Sequence, residues 1–399
     1  MVRLQERRNI TSIEDKNHTK VPMDNNQSSL NSLRERIDEI DDEILNLLKE
    51  RNNIVKRVID TKIKNQLPIF VANREEEKIA EFREKANRMG LDSEWSGDFL
   101  RMIMSSSRAF QSGKTFPQTS DGPKNILIVG GGGEMGSLYH KIAASSGHMV
   151  DILERDDWDR VAELTANKDL VIITVPIKVT EETIERIGPH LDNNTILADF
   201  TSNKSYVLDA MMNAHDGPVA ALHPMHGPDV SNISKQLMMV CHGRYQESYE
   251  WMLDQFRLWG LRLKFVDPEQ HDRAMHLIQG LRHFVALLHG SFMREFDLKP
   301  EDMADFSSPI YRAELMMTGR IFAQDAELYA DIVFSNFERR TLLIEFLEHH
   351  EKLAVLVKNN DRQGFIQEFR RISEFFGEFA EQALEESSYM INRLSDRFG

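Results

Sequence analysis

From Leu30 to Lys64 the chain runs without a glycine or a proline. Its apolar residues there recur at alternating spacings of four and three: Leu33, Ile37, Ile40, Ile44, Leu47, Ile54 and Val58. That period is the seam of a long helix packing against other helices. At 1.5 Å per residue such a helix is ~50 Å long, more than a small helical domain of one chain can cover. The pattern therefore predicts that the seam is buried in a second copy. Shorter helical patterns over 72–89 and 94–112 complete an all-α N-terminal domain at 28–112. Residues 1–27 are polar and aperiodic, which predicts a disordered tail. Met23, eleven residues before Arg34, is a candidate for the translation start in place of Met1.

Glycine, proline, serine and threonine gather over 113–123, the composition of a linker. Beyond it short apolar runs predict strands at 125–130, 149–154, 169–176, 195–200, 218–224, 237–243 and 261–266. Helical stretches separate most of them, so 124–268 reads as an α/β domain with a mostly parallel sheet. Over 269–399 strand-like runs vanish. An all-α C-terminal domain is predicted, with aromatic faces such as Phe365, Phe369, Phe375, Phe376 and Phe379.

Composition narrows the functional classes. The net charge of −15 argues against a broad face for nucleic-acid phosphate. The single cysteine, Cys241, excludes a disulfide framework and a thiolate-only metal cluster. No apolar run approaches the ~20 residues that span a bilayer, and no signal-peptide stretch opens the chain, so a cytoplasmic location is expected.

The first predicted strand runs into Gly131-Gly132-Gly133-Glu134-Met135-Gly136, a G-x-G-x-x-G followed by a helix. Gly131, Gly133 and Gly136 permit the tight turn and the close approach of backbone to a pyrophosphate. The second strand ends in Glu154, eighteen residues after Gly136. An acidic residue there binds the adenine ribose hydroxyls and repels a 2′-phosphate, which predicts NAD over NADP.

Ligands of such sheets bind outside the carboxyl ends of the strands. Thr201-Ser202-Asn203-Lys204 follows the fourth strand, and His223-Pro224-Met225-His226 closes the fifth. His223 is the candidate acceptor of a hydroxyl proton as hydride leaves the same carbon. Ser202 could orient that hydroxyl and Lys204 could hold a substrate carboxylate. His223 and His226 lack the companions of a zinc site, so no metal is expected. Farther on, Arg312 and Arg320 are either a carboxylate clamp or structural ion pairs. His283 reads as a core or interface residue.

Arg51 falls on the apolar seam, where a charge is costly unless paired. Lys62 lies ~20° from the same face and ~16 Å along the axis, so the two could close around a small dianion. Arg34, on another face, could reach a neighbouring subunit's site. Arg74-Glu75 and the i, i+4 pair Ser107 and Gln111 add polar groups. Register-fixing ion pairs on solvated faces remain the alternative.

Several ordered motifs together resemble the bifunctional chorismate mutase/prephenate dehydrogenase family of tyrosine biosynthesis. They are Leu33-Arg34-x-x-Ile37-Asp38-x-Ile40-Asp41, Leu67-Pro68-Ile69-x-Val71-x-x-Arg74-Glu75, the Val129–Gly136 loop, Leu222-His223-Pro224-Met225, Leu281-Arg282-His283-Phe284 and Gly319-Arg320-x-Phe322-Ala323-Gln324-Asp325. The resemblance spans 28–399. It implies an all-α mutase domain forming an intertwined dimer, a Rossmann-like NAD domain and an all-α C-terminal dimerisation domain.

By resemblance, Arg51, Lys62, Arg74, Glu75, Ser107 and Gln111 match mutase site positions, and Arg34 matches the arginine lent by the partner subunit. In the dehydrogenase, His223 accepts the hydroxyl proton, Ser202 assists, and Lys204 and Arg320 bind prephenate. Tyr329 and His283 lie where feedback by tyrosine is expected. His226 stands where the family leads one to expect Phe, and Asn203 where a small apolar residue is expected. Three other readings stay open: N-terminal helices that serve only dimerisation, arogenate or a β-hydroxyacid as substrate, and a regulator sensing NAD or tyrosine.

Overall fold

A computed structural model describes residues 25–65, 72–111, 118–230, 232–296, 298–334 and 336–398. The tail over 1–24, the Leu67–Val71 part of one motif and linker residues 113–117 lie outside the described residues. The chain divides into two units, one up to Asp60 and one from Thr61.

The first unit is carried by helix α1 (Asn25–Lys64), so residues 25–27 of the expected tail are its first turn. Its seam is exposed, with Leu33 60% and Leu47 64% accessible. Leu30 and Leu45 are exposed as well, whereas Ile59 near its end is buried.

In the second unit, α2 (Ala72–Arg88) packs on α3 (Ser93–Gln111). The sheet follows: β1 (Asn125–Val129), β2 (Met149–Leu153), β3 (Leu170–Ile173), β4 (Ile196–Asp199), β5 (Val219–Pro224), β6 (Leu237–Arg244) and β7 (Arg262–Phe265). Their order is β2-β1-β3-β4-β5-β6-β7. Pairing is parallel except between β5 and β6, where the 225–236 connection contains no helix to carry a crossover. Several strands are one to four residues shorter than their apolar runs, because the run continues into the loop that bears the chemistry.

The strands are apolar throughout because both faces are covered. Ile126 and Ile128 point into a core with Tyr139, Phe256 and Trp259. Leu127 and Val129 point the other way, into a core with Ile184, Val207 and Met211. Strand order reverses between β1 and β3, which places the switch-point crevice beside the glycine loop. From Pro268 onward the described chain is helical, with one π-helical turn at His276–Leu281. Phe369 and Phe375 on the terminal helices are exposed. Among the described residues no helix is long and apolar enough to cross a membrane.

Candidate active site

β1 ends at Val129, and Gly130 makes the turn with φ +80°, a conformation glycine adopts without strain. A Cβ at Gly136 would stand 2.6 Å from the Gly130 carbonyl oxygen, so that position admits only glycine. Helix α4 (Glu134–Ser145) starts after Gly133, which has no side chain to cap it. The N–H groups of its first turn are left for an anion. The Gly132 N–H donates to Glu154 Oε1 at 2.6 Å. Loop, helix terminus and acidic strand end thus fit the pyrophosphate and ribose of a dinucleotide.

His223 lies near the carboxyl end of β5, buried at 5% exposure. Its Nδ1 is 2.9 Å from Nε2 of His271, and His271 Nδ1 is 2.9 Å from Asp272 Oδ1. Its Nε2 is 3.2 Å from the Gln279 side-chain amide nitrogen. Burial holds the His223 pKa well below the ordinary histidine value, reinforced by the charge of Lys204. A neutral imidazole results, the form able to accept a proton. Burial works against ionisation of Asp272. The bond from His271 and the backbone N–H groups of Ser205 and Lys204 outweigh it, and bring its pKa down to about 2.

Lys204 is corrected by the structure. Its ammonium has no exposure and donates to Asp199 Oδ2 at 2.6 Å and to the Leu222 carbonyl at 2.7 Å. A group so committed beneath the strands is not placed to hold a substrate carboxylate; its charge acts on His223 instead. Ser202 is buried and its hydroxyl has no partner among the described residues, as suits a group awaiting a ligand. Asn203 accepts from Arg339 at 3.3 Å, and Arg339 also donates to the Ile332 carbonyl. The departure at 203 therefore anchors the β4 loop to helix Phe337–Lys358.

His226 keeps an aromatic contact. Its ring lies 20° from the plane of Tyr139, and its Nε2 is 3.2 Å from the Tyr139 hydroxyl. Arg320 donates to Asp229 Oδ2 at 2.6 Å, an ion pair that is largely exposed. Arg312 is half-buried on the same helix, Pro309–Phe322. His283 and Tyr329 are brought together, ring centroids 4.7 Å apart. His283 Nδ1 is buried without a partner among the described residues, and burial takes the pKa of this ring down to about 4.

Of the expected mutase residues, Arg34 is exposed, and burial lowers the pKa of Arg51. Burial, and then the charge of Arg74, lowers that of Lys62. Glu75 is buried with its carboxylate 2.7 Å from the Lys235 ammonium. Ser107 donates to the Ile103 carbonyl at 2.9 Å. The Gln111 side chain lies outside the described residues.

Sequence reasoning missed Asp199, His271, Asp272 and Gln279. An acid inside the otherwise apolar TILADF run was a usable signal for Asp199. His271-Asp272 sits in a polar helix start and gave none. Among the described residues no group of three or more histidine, cysteine or acidic side chains could hold a metal ion.

Residues 33–112 match the chorismate mutase type II family. Residues 141–240 match the nucleotide-binding domain of prephenate dehydrogenase, and 267–371 its dimerization domain. The chain is 38% identical over 368 residues to the T-protein of Haemophilus influenzae, covering 92% of this chain and 98% of that protein. It is 37% identical over 369 residues to the T-protein of Enterobacter agglomerans, covering 92% and 99%. The solved prephenate dehydrogenase of A. aeolicus, in complex with hydroxyphenyl propionate and NAD+, shares the fold. Its TM-score is 0.52 at 18% identity, over 64% of this chain and 97% of that one. With one relative matched over nearly its whole length, and all three domains recognised in order, the chain belongs to the T-protein family of chorismate mutase/prephenate dehydrogenases.

Proposed function

We propose that this bifunctional enzyme of tyrosine biosynthesis carries out its dehydrogenase step at the carboxyl ends of β4 and β5, with His223 as the proton acceptor. The chain rearranges chorismate to prephenate and oxidises prephenate to 4-hydroxyphenylpyruvate. NAD, held by Gly131, Gly133, Gly136 and Glu154, supplies the hydride acceptor when bound. His223 Nε2 takes the proton of the ring hydroxyl, Ser202 Oγ orients that hydroxyl, and Arg320 meets a substrate carboxylate after leaving Asp229. Loss of CO2 and aromatisation make the step irreversible. The observation that supports this most is a buried His223 held in a hydrogen-bonded chain that Asp272 ties to the loop bearing Ser202, whose hydroxyl has no partner among the described residues.

For the mutase, Arg51, Lys62, Arg74, Glu75, Ser107 and Gln111 bind chorismate, and Arg34 comes from the second copy of a homodimer. With no acid–base pair among them, the rearrangement rests on positioning the dianion and on cations at the breaking C–O bond. The domains run over 28–112, 124–268 and 269–399, in a cytoplasmic protein. Tyrosine, as feedback inhibitor, binds beside His283 and Tyr329, whose rings meet edge to face.

One cuvette tests the pairing of activities: chorismate and NAD, with chorismate loss and NADH appearance recorded together. Both are expected, with chorismate loss persisting when NAD is omitted. Untouched chorismate alongside NADH from added prephenate would reduce the N-terminal helices to a dimerisation arm. His223→Asn is expected to abolish NADH production and leave the mutase rate intact.

A further inference from the structure

We infer that His271, backed by Asp272, is a positioning residue that fixes the tautomer of His223 and aims its basic nitrogen at the substrate hydroxyl. The inference rests on the reading of His223 as proton acceptor and deepens it. Helix Pro268–Met275 carries both residues, and neither the motifs nor the family matches assign them a role.

The chain of bonds has one consistent direction. Asp272, ionised, can only accept, so its bond at 2.9 Å places a proton on His271 Nδ1. With that proton on Nδ1, the tautomer that completes the chain presents the Nε2 lone pair of His271. That lone pair faces His223 Nδ1 at 2.9 Å, so His223 carries its proton on Nδ1. The remaining nitrogen, Nε2, is left as the lone pair. It faces the Gln279 amide at 3.2 Å, a donor that a substrate hydroxyl can replace. Without His271, burial alone does not decide between the two neutral tautomers, and one of them points an N–H at the hydroxyl and cannot accept from it.

The Asp272 end of the chain is anchored through both carboxylate oxygens. Asp272 Oδ1 accepts from the Lys204 backbone N–H at 2.8 Å, and Oδ2 from that of Ser205 at 2.9 Å. The dyad is therefore tied to the loop that bears Ser202. His271 has no exposure, and its ring meets that of His223 at 68°, with centroids 5.1 Å apart. In the reaction the substrate O–H bond breaks and the His223 Nε2–H bond forms, while Nδ1–H stays on His223 and continues to donate to His271. The imidazolium so formed faces Lys204 from the β4 loop and Arg339 from helix Phe337–Lys358. Both disfavour it, as does His271 itself, and the Asp272 carboxylate behind His271 is the group that favours it.

The test is His271→Gln in the full chain, assayed for prephenate oxidation across pH 5–9, with NAD affinity and mutase rate measured on the same sample. The expected result is a fall of roughly 100-fold in dehydrogenase kcat, within the range of a general base's contribution. NAD affinity and mutase rate stay within about twofold. Ring 15N spectra of histidine-labelled wild-type protein are expected to show His223 protonated at Nδ1, a readout that needs no variant to fold. A kcat within about threefold of wild type, a joint fall in kcat, NAD affinity and mutase rate, or a His223 protonated at Nε2 would each overturn the inference. Failure of the underlying reading looks different: His223→Asn itself would go on producing NADH.

Discussion

The ammonium of Lys204 lies 2.6 Å from the carboxylate of Asp199, and neither side chain has any exposed surface. The pair brackets the Phe200–Asn203 segment at the end of β4. Asp199 also accepts from the Thr201 N–H at 2.9 Å, so the pair shapes the loop's backbone as well as its charge.

Removing one member of a buried pair leaves the other uncompensated, which costs about 3–5 kcal/mol. Lys204→Met should therefore lower the thermal unfolding midpoint by several degrees. Adding Asp199→Asn should recover part of the loss, because the stranded charge is then gone. A midpoint shift of under a degree for the single variant would show that water reaches Asp199.

Acid should destabilise the fold in a particular window. Burial lowers the pKa of His148, His215, His223 and His276, and takes His283 down to about 4. In the unfolded chain histidines titrate near 6.5. Between those values the unfolded state binds more protons, so stability is intact above about pH 6.5 and is lost progressively as pH falls toward 4. Urea midpoints at pH 7.5, 6.0 and 5.0 should decline in that order. A flat series would mean that these rings are protonated in the folded protein.

What the sequence revealed and concealed follows from the range of the forces involved. The α1 helix was legible from the helical spacing of its apolar residues over Leu33–Val58, and the seven strands from apolar runs such as Ile126–Val129, which cores on both faces of the sheet bury. The glycine loop was legible because its constraints are local backbone ones. His271 and Lys204 were not. His271 acquires its meaning from His223 on β5, and Lys204, expected to hold a substrate carboxylate, from Asp199 at the end of β4 and the Leu222 carbonyl on β5. The roles of Asn203 and His226 were hidden for the same reason, since Arg339 and Tyr139 reach them from distant helices.

Glu154 should decide between the two nicotinamide cofactors. Its carboxylate accepts from Gly132 N–H at 2.6 Å, so it braces the loop and presents negative charge where a 2′-phosphate would sit. Glu154→Ala should raise the KM for NAD about tenfold and narrow the preference for NAD over NADP, with kcat nearly unchanged. An unaltered NAD to NADP ratio of kcat/KM would place the ribose elsewhere.

Arg320 offers the most direct view of how substrate enters. It pairs with Asp229 at 2.6 Å, and the hydrogen bond to Arg320 holds the Asp229 pKa below its ordinary value. Both side chains are more than half exposed, so the pair is worth no more than about 1 kcal/mol. A substrate carboxylate competing for the same guanidinium has only that small cost to overcome. Asp229→Asn should thus lower the KM for prephenate by up to about fivefold, with little change in kcat. Arg320→Ala should raise the KM by a far larger factor, because bidentate recognition of the carboxylate is lost. Steady-state kinetics on the two variants separates the roles: equal and opposite small effects would make Arg320 a surface charge, and a dominant Arg320 effect makes it the clamp.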